Sequence, residues 1–164
     1  MFNFRKKKVL TEQLANVLLK GSSNTKRIVE DLRLLGFGSC SDKKSINEMV
    51  ILNIYCSYLA IRIYFQNDEK RSRRLRRLLI NNASEVFTLL SDNQAQLLTE
   101  RLNEYAAIFQ DTEVADEYYQ QLSRAAIENF NEDYSDSKVA KMTGKILGKI
   151  ESDKDLFSKF KLID

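Results

Sequence analysis

The sequence predicts an all-α protein, a single-domain antiparallel bundle of six to eight helices around a central apolar helix at about residues 45–66. Apolar residues recur at helical spacing along most of the chain, whereas alternation with a period of two is hard to find. The 164 residues include no proline and only five glycines, so Ser, Asn and Asp mark most helix boundaries. No long linker interrupts the pattern, so the sequence predicts a single domain over residues 1–164. The basic N-terminal segment, residues 1–8, is expected to be flexible.

Three helices are predicted before residue 67. The first spans about residues 10–20, and the second spans about 25–35 and ends at Gly36, a residue typical of helix C-caps. The segment Ser45–Glu48 matches the capping-box pattern and opens the central helix. Since that helix is apolar on nearly every side, we expect other helices to surround it. The inward face predicted for the first helix consists of Leu14, Val17 and Leu18.

Further helices are predicted in the remainder of the chain. A strongly basic helix spans about residues 69–90, and another runs from a cap at Ser91 to about residue 109. The next begins at Asp111–Thr112 and continues to about residue 131. Ser135–Asp136 starts a helix at about 138–150, and Ser152–Asp153 starts a last turn or two. Short connections of this kind favour antiparallel neighbours in a bundle.

The residue types exclude several kinds of chemistry. Without histidine the chain lacks the usual general base, and it cannot build Ser-His or Cys-His catalysis or an imidazole metal site. Its two cysteines, Cys40 and Cys56, are too few for a four-thiolate zinc site or a disulfide framework. We therefore expect a protein that acts without catalysis and without a metal or cofactor.

The apolar segment 46–65 is the only one of transmembrane length. It includes the ionisable residues Glu48 and Arg62, which are costly inside a bilayer, so we expect no integral membrane association. The basic residues at the N-terminus are not followed by an uninterrupted apolar stretch, so no signal peptide is predicted. A cytoplasmic location is the resulting expectation.

Charge is unevenly distributed along the chain. Residues 1–80 contain 17 Lys and Arg against 7 Asp and Glu, whereas residues 81–136 contain 2 against 12. The sharpest cluster is Lys70–Arg77, with six cations in eight residues, five of them arginine. An arginine fork suits phosphate and carboxylate groups. This helix face therefore has three interpretations: contact with an acidic protein, contact with nucleic acid or another polyanion, and ion pairing within the chain to the acidic segment 111–117.

A second basic stripe lies on the helix at about 138–150. Four lysines recur there at helical spacing: Lys138, Lys141, Lys145 and Lys149. The same helix carries the small residues Ala140, Gly144 and Gly148 at four-residue intervals. Glycine is unfavourable in a helix interior, so the stripe predicts close approach of a neighbouring helix, either from the same chain or from a second copy in a homodimer.

Carboxylates on helices give a further, enzymatic alternative. Glu100 and Glu104 share one face, and Glu113 and Asp116 share another on the next helix. The second pair has the ExxD spacing and resembles half of the Mg²⁺-binding arrangement of all-α nucleotide pyrophosphohydrolases. The first pair has a different spacing, so the resemblance covers four residues, and solvated helix faces explain such residues in most proteins.

The sequence therefore predicts a non-catalytic cytoplasmic protein that acts by binding another protein, whose identity is unknown and whose character is acidic. Nucleic-acid or polyanion binding through helix 70–77 is the alternative, and a Mg²⁺-dependent nucleotide hydrolase is the third hypothesis. The residues predicted to contact the partner are Lys70, Arg73, Arg74, Arg76, Arg77, Lys138, Lys141, Lys145 and Lys149.

Overall fold

Seven α-helices make up most of the part of the chain that the structure, a computed structural model, describes: residues 7–38, 40–111, 115–133 and 135–163. The predicted all-α bundle of six to eight helices is thus confirmed. In chain order the elements are β1 (Lys7–Leu10), α1 (Thr11–Ser22), α2 (Thr25–Leu35), α3 (Lys43–Tyr64), α4 (Glu69–Leu90), α5 (Asp92–Asp111), α6 (Ala115–Asn129), α7 (Asp136–Ser158) and β2 (Phe160–Ile163).

Helix α3 is the centre of the bundle. It packs against all six other helices, and 15 of its 22 residues are buried, which explains why its sequence is apolar on nearly every side. The helix begins two residues before the predicted capping box, because the Asp42 side chain, rather than that of Ser45, accepts the exposed amide at its start. The bond from the Ser45 amide to Asp42 measures 2.7 Å.

Within the described residues, α3 is also the one helix long and apolar enough to cross a membrane. In this fold 78% of its most apolar stretch is buried by protein. A core helix of a helical bundle meets the same criteria of length and composition.

The boundaries of α2 and α4 match the sequence predictions residue for residue. Gly36 ends α2 in the left-handed conformation, with φ of 79°, where an L side chain would be strained. On α1, Leu14 and Leu18 are buried as predicted, but Val17 is 47% exposed, so that prediction is wrong. The predicted start of the sixth helix at Asp111–Thr112 lies partly outside the described residues.

The C-terminal part of the chain differs from the prediction in two ways. Helix α7 is continuous through Ser152–Asp153, because the Asp153 side chain is buried and bonds to Ser57 of α3 and to Lys149 of its own helix instead of capping a new one. After α7, β2 forms a parallel two-stranded sheet with β1, in which Lys7 lies opposite Phe160 and Leu10 opposite Ile163. Of the basic N-terminal segment, residues 7 and 8 belong to β1, and residues 1–6 lie outside the described part.

Candidate functional site

Helix α4 presents its cations to one side because its other side is committed to the core. The Asp68 side chain caps the helix by accepting the Arg71 amide at 3.1 Å, and Glu69 lies in the first turn, where the helix dipole favours an acid. The buried positions recur at intervals of three and four residues and are Ser72, Leu75, Leu79, Ala83 and Phe87. Most of the remaining positions of the first two turns therefore face outward.

Four of the predicted cations form one exposed surface, which we call the basic face: Lys70, Arg73, Arg74 and Arg77. They occupy positions i, i+3, i+4 and i+7 on α4, so they share one side of the helix over about 10 Å. Together with Glu69 they line a shallow depression of about 420 Å³. Arg73 is 77% exposed even though Glu69 lies 3.5 Å away. The basic face is therefore available to a ligand of negative charge.

Arg76 does not belong to the basic face, although it was predicted to. Its side chain is only 14% exposed and folds back over the ring of Tyr58, 5.1 Å from the ring centre. The guanidinium donates to the Tyr58 hydroxyl and to Glu69, each at 3.1 Å. Arg76 thus connects α4 to α3 and contributes to packing.

Three ion pairs of this region use carboxylates at the N-terminal end of α4. Arg71 pairs with Asp68 at 2.9 Å, and both Arg73 and Arg76 pair with Glu69. The acidic segment 111–117 supplies none of these three pairs; in that segment, Glu117 accepts from Gln121, and residues 112–114 lie outside the described part. For Arg71, Arg73 and Arg76, the predicted ion pairing across the bundle is therefore not found.

Three lysines of the second basic stripe form ion pairs within the chain. Lys138 pairs with Glu132 at 2.7 Å, Lys145 pairs with Asp31 of α2, and Lys149 pairs with Asp153 of its own helix. Their side chains are 23%, 19% and 9% exposed, respectively. Lys141 is the exposed member of the stripe. The three paired lysines therefore hold α7 against its neighbours and do not extend the basic face.

The small-residue stripe of α7 lies on the surface. Ala140, Gly144 and Gly148 are all exposed, and a Cβ placed on either glycine would have no described atom beyond its own helix backbone within 4 Å. The prediction that this stripe receives a helix of the same chain is therefore wrong, because the inner side of α7 is formed by larger residues such as Met142 and Ile146. Packing against a second copy stays a prediction.

No family model, curated protein or solved structure matches this chain. Its function is therefore inferred from the geometry of its own side chains.

A buried polar cluster at the α3–α7 contact was not predicted. The Ser57 hydroxyl donates to Asp153 at 2.6 Å and accepts from the Lys149 ammonium at 2.8 Å. Although a serine beside a lysine is one arrangement used in nucleophilic catalysis, an ammonium that is paired with a carboxylate and donates to the serine cannot remove its proton. Ser57 is also completely buried. The cluster therefore stabilises the contact between the two helices.

Three carboxylates of the hydrolase hypothesis, Glu100, Glu104 and Asp116, lie in the described part of the chain, where they do not form a metal-binding group. Glu100 accepts from Gln96 at 2.7 Å, and Glu104 pairs with Arg101 at 3.0 Å. Asp116 is exposed, and Glu113 lies outside the described residues. Within the described part of the chain, no group of three or more Asp, Glu, Cys or His side chains is placed to hold a metal ion.

Arg101 is instead the partner of a buried carboxylate in α3. Its guanidinium contacts Glu48, which is 1% exposed, at 3.0 Å, and also reaches Glu104. Burial raises the pKa of Glu48, and the hydrogen bond and charge of Arg101 act in the opposite direction. The sequence contained a weak signal for this pair, since Glu48 lies in an apolar helix and Arg101 is one of only two cations in residues 81–136.

The Cys56 thiol is buried and is not a reactive centre. Burial raises the pKa of Cys56 to about 12, so its thiol stays protonated at neutral pH. Cys40 is partly buried in the connection between α2 and α3.

Proposed function

We propose that this chain is a non-catalytic cytoplasmic protein that binds an acidic segment of another protein on the basic face of α4. The observation that carries the proposal is the exposure of Lys70, Arg73, Arg74 and Arg77 on one side of a well-packed helix, with Glu69 as the acidic side chain in the same depression.

The clustering of like charges on the basic face is unfavourable for the protein without a ligand. Like charges three and four residues apart on a helix destabilise it by a few tenths of a kcal/mol per pair, and the basic face contains several such pairs. For Lys70 and Arg77 the described residues supply no ion pair to offset that repulsion. A ligand of opposite charge would remove it, so the face is better suited to a bound state than to the free protein.

The dimensions of the basic face favour a short acidic segment. Its cations extend over about 10 Å of helix, which matches a few carboxylates on consecutive turns of a partner helix or on an extended peptide. The arginine side chains can each bind a carboxylate through two parallel hydrogen bonds, which gives orientation as well as charge attraction.

Nucleic acid is the second candidate, and the arginine content of the basic face is the observation that favours it. Arginine forks bind phosphate as well as carboxylate. The second basic stripe does not extend this surface, however, because Lys138, Lys145 and Lys149 are paired inside the chain. Four cations would neutralise about four phosphates at most. The logarithm of the binding constant would then fall with the logarithm of the salt concentration with a slope no steeper than about −3.6.

The proposal is tested by fluorescence anisotropy with a labelled glutamate-rich peptide, a generic DNA duplex and a generic RNA, at low and physiological salt. The variant Arg73→Glu/Arg77→Glu is compared with Lys26→Glu/Lys141→Glu, a matched control with the same change in net charge at two exposed lysines outside the basic face. We expect the affinity for the glutamate-rich peptide to fall at least about tenfold in the first variant and to change little in the control.

Two results would overturn the proposal. Binding of DNA or RNA alone, lost steeply with salt, would establish the second candidate in its place. Equal weakening in both variants would show that peptide binding depends on net charge and not on the basic face.

A further inference from the structure

A pocket of about 260 Å³ opens between α3, α4 and α5, close to the basic face. Apolar and aromatic side chains form most of its surface: Tyr55, Tyr58, Ile80, Leu98 and Leu102. Three polar residues also line it, of which Thr99 and Asn103 are exposed at the surface and Ser84 is half-buried. An apolar interior with a polar rim is the usual composition of the central pocket of a protein interface.

The floor of the pocket is held in place by hydrogen bonds. The Tyr55 hydroxyl donates to the Tyr105 carbonyl oxygen at 3.0 Å and accepts from the Tyr118 hydroxyl at 3.1 Å. Its ring stacks nearly parallel to that of Tyr58, with 6.0 Å between centres. Tyr58 is fixed in turn by the Arg76 guanidinium. A pocket whose walls are already ordered costs little conformational entropy when it is filled.

The pocket continues the basic face along the same helix. Arg73 and Arg77 line the basic depression, whereas Ile80 and Ser84 line the pocket. These four residues are positions i, i+4, i+7 and i+11 of α4, which lie within one narrow stripe at about 100° per residue. The helix therefore presents two turns of positive charge followed by about one turn that borders an apolar pocket.

We propose that the pocket receives one large apolar side chain, aromatic or of leucine size, from the same acidic segment that binds the basic face. The proposal rests on the proposed function, because the positive charge beside the pocket selects the acidic character of the segment. The volume supports the size of the side chain, since a cavity of about 150 Å³ already holds a benzene ring. The opening between three helices suits a side chain that enters from a bound partner.

The spacing on α4 defines the motif of the partner. The centre of Ile80 and Ser84 lies seven residues beyond the centre of Arg73 and Arg77, which is about 10 Å along the helix axis. A helical partner lying along α4 therefore carries its apolar anchor about two turns from the middle of its acidic cluster. This is the helix-in-groove form of peptide recognition, with the anchor giving affinity and the charges giving register and orientation.

The experiment is a peptide-display selection with a random library against the full chain at physiological salt, followed by affinity measurements on the enriched peptides. Ala106 lines the pocket, and its neighbour Ala107 is exposed outside it. Ala106→Leu fills the pocket, and Ala107→Leu is the matched control on the same helix. We expect enriched peptides with an acidic cluster and one large apolar residue at a constant spacing, and a loss of at least about tenfold in affinity for Ala106→Leu alone.

The outcomes separate the two proposals. Enriched peptides that are acidic but have no fixed apolar position, and that bind Ala106→Leu as well as the parent, would overturn the anchor and leave the basic face as the binding site. Enriched peptides without acidic residues, or no enrichment, would overturn both. If Ala106→Leu unfolds, Ser84→Leu fills the same pocket from α4, and a native melting temperature qualifies either variant for the comparison.

Discussion

Helices α4 and α7 carry nearly the same sequence pattern, cations at intervals of three and four residues, but the fold uses them in opposite ways. On α7, Lys138, Lys145 and Lys149 each meet a carboxylate and are at least three-quarters buried. On α4, Lys70, Arg73, Arg74 and Arg77 stay exposed. A basic stripe is therefore a structural feature in one helix and a candidate binding surface in the other.

The difference arises from how deeply the ion pairs of each helix are buried. Asp31 lies on α2, Glu132 lies in the connection before α7, and Asp153 lies on α7 itself. The basic face of α4 has Glu69 of its own first turn, while the buried side of α4 packs on α1, α3 and α5. Glu132 and Asp153 lie within six residues of their lysines, as Glu69 does of Arg73, so burial of the ion pair against neighbouring elements decides whether a lysine or arginine is available to a partner.

The largest change in stability that tests this difference between α4 and α7 is expected at Lys149. The variant Lys149→Met leaves the Asp153 carboxylate, 9% exposed, without its cation, so we expect a loss of about 3 kcal/mol in the free energy of unfolding. Adding Asp153→Asn removes the uncompensated charge and should recover part of that loss. Urea denaturation measures both variants. A loss below about 1 kcal/mol, or no recovery in the double variant, would contradict a structural role for this lysine.

A smaller effect is expected at the exposed glycines of α7. The double variant Gly144→Ala/Gly148→Ala should raise the free energy of unfolding by about 1–2 kcal/mol, because alanine restricts the unfolded chain and meets no neighbour in the fold. The matched control is Gly36→Ala, which should lower stability because Gly36 has φ of 79°. Urea denaturation gives both values. Destabilisation by the α7 pair would show that another part of the chain, or a second copy, lies against this surface.

The smallest effect concerns pH. Lys138 holds the pKa of Glu132 below its ordinary value, so the pair stabilises the fold above that ordinary value, and the stabilisation is lost as the pH falls through the lowered pKa. Glu132→Gln should therefore cost less than about 1 kcal/mol at neutral pH, and the cost should be smaller at about pH 3. Urea denaturation of both proteins at the two pH values gives the difference. A cost that persists at acidic pH would assign the effect to shape or hydrogen bonding instead of charge.

Local features of the fold could be predicted from the sequence, and contacts between distant residues could not. The boundaries of α2 and α4 follow from caps and apolar spacing that lie within a few residues of each other. The pairing of β1 with β2 joins segments about 150 residues apart, and each has only four residues, too few for a recognisable alternation.

The candidate site shows the same division. With Leu75 facing the core, helical spacing predicted outward positions for Lys70, Arg73, Arg74, Arg76 and Arg77, and the structure exposes all of them except Arg76. The inward turn of Arg76 depends on the position of Tyr58 in α3, and the apolar pocket depends on three helices at once. Neither has a local signature, so only the folded chain could reveal them.

Matched charge reversals on the two helices test the account most directly. Arg77→Glu places a carboxylate among Arg73 and Arg74, so the free energy of unfolding should stay constant or rise by a few tenths of a kcal/mol. Lys145→Glu places a carboxylate against Asp31 at a site where both side chains are less than 20% exposed, so it should lower that free energy by about 2–4 kcal/mol. Urea denaturation of the two variants beside the parent chain measures both changes. Equal destabilisation by the two reversals would contradict the account, because it would give the α4 cations the same structural role as those of α7.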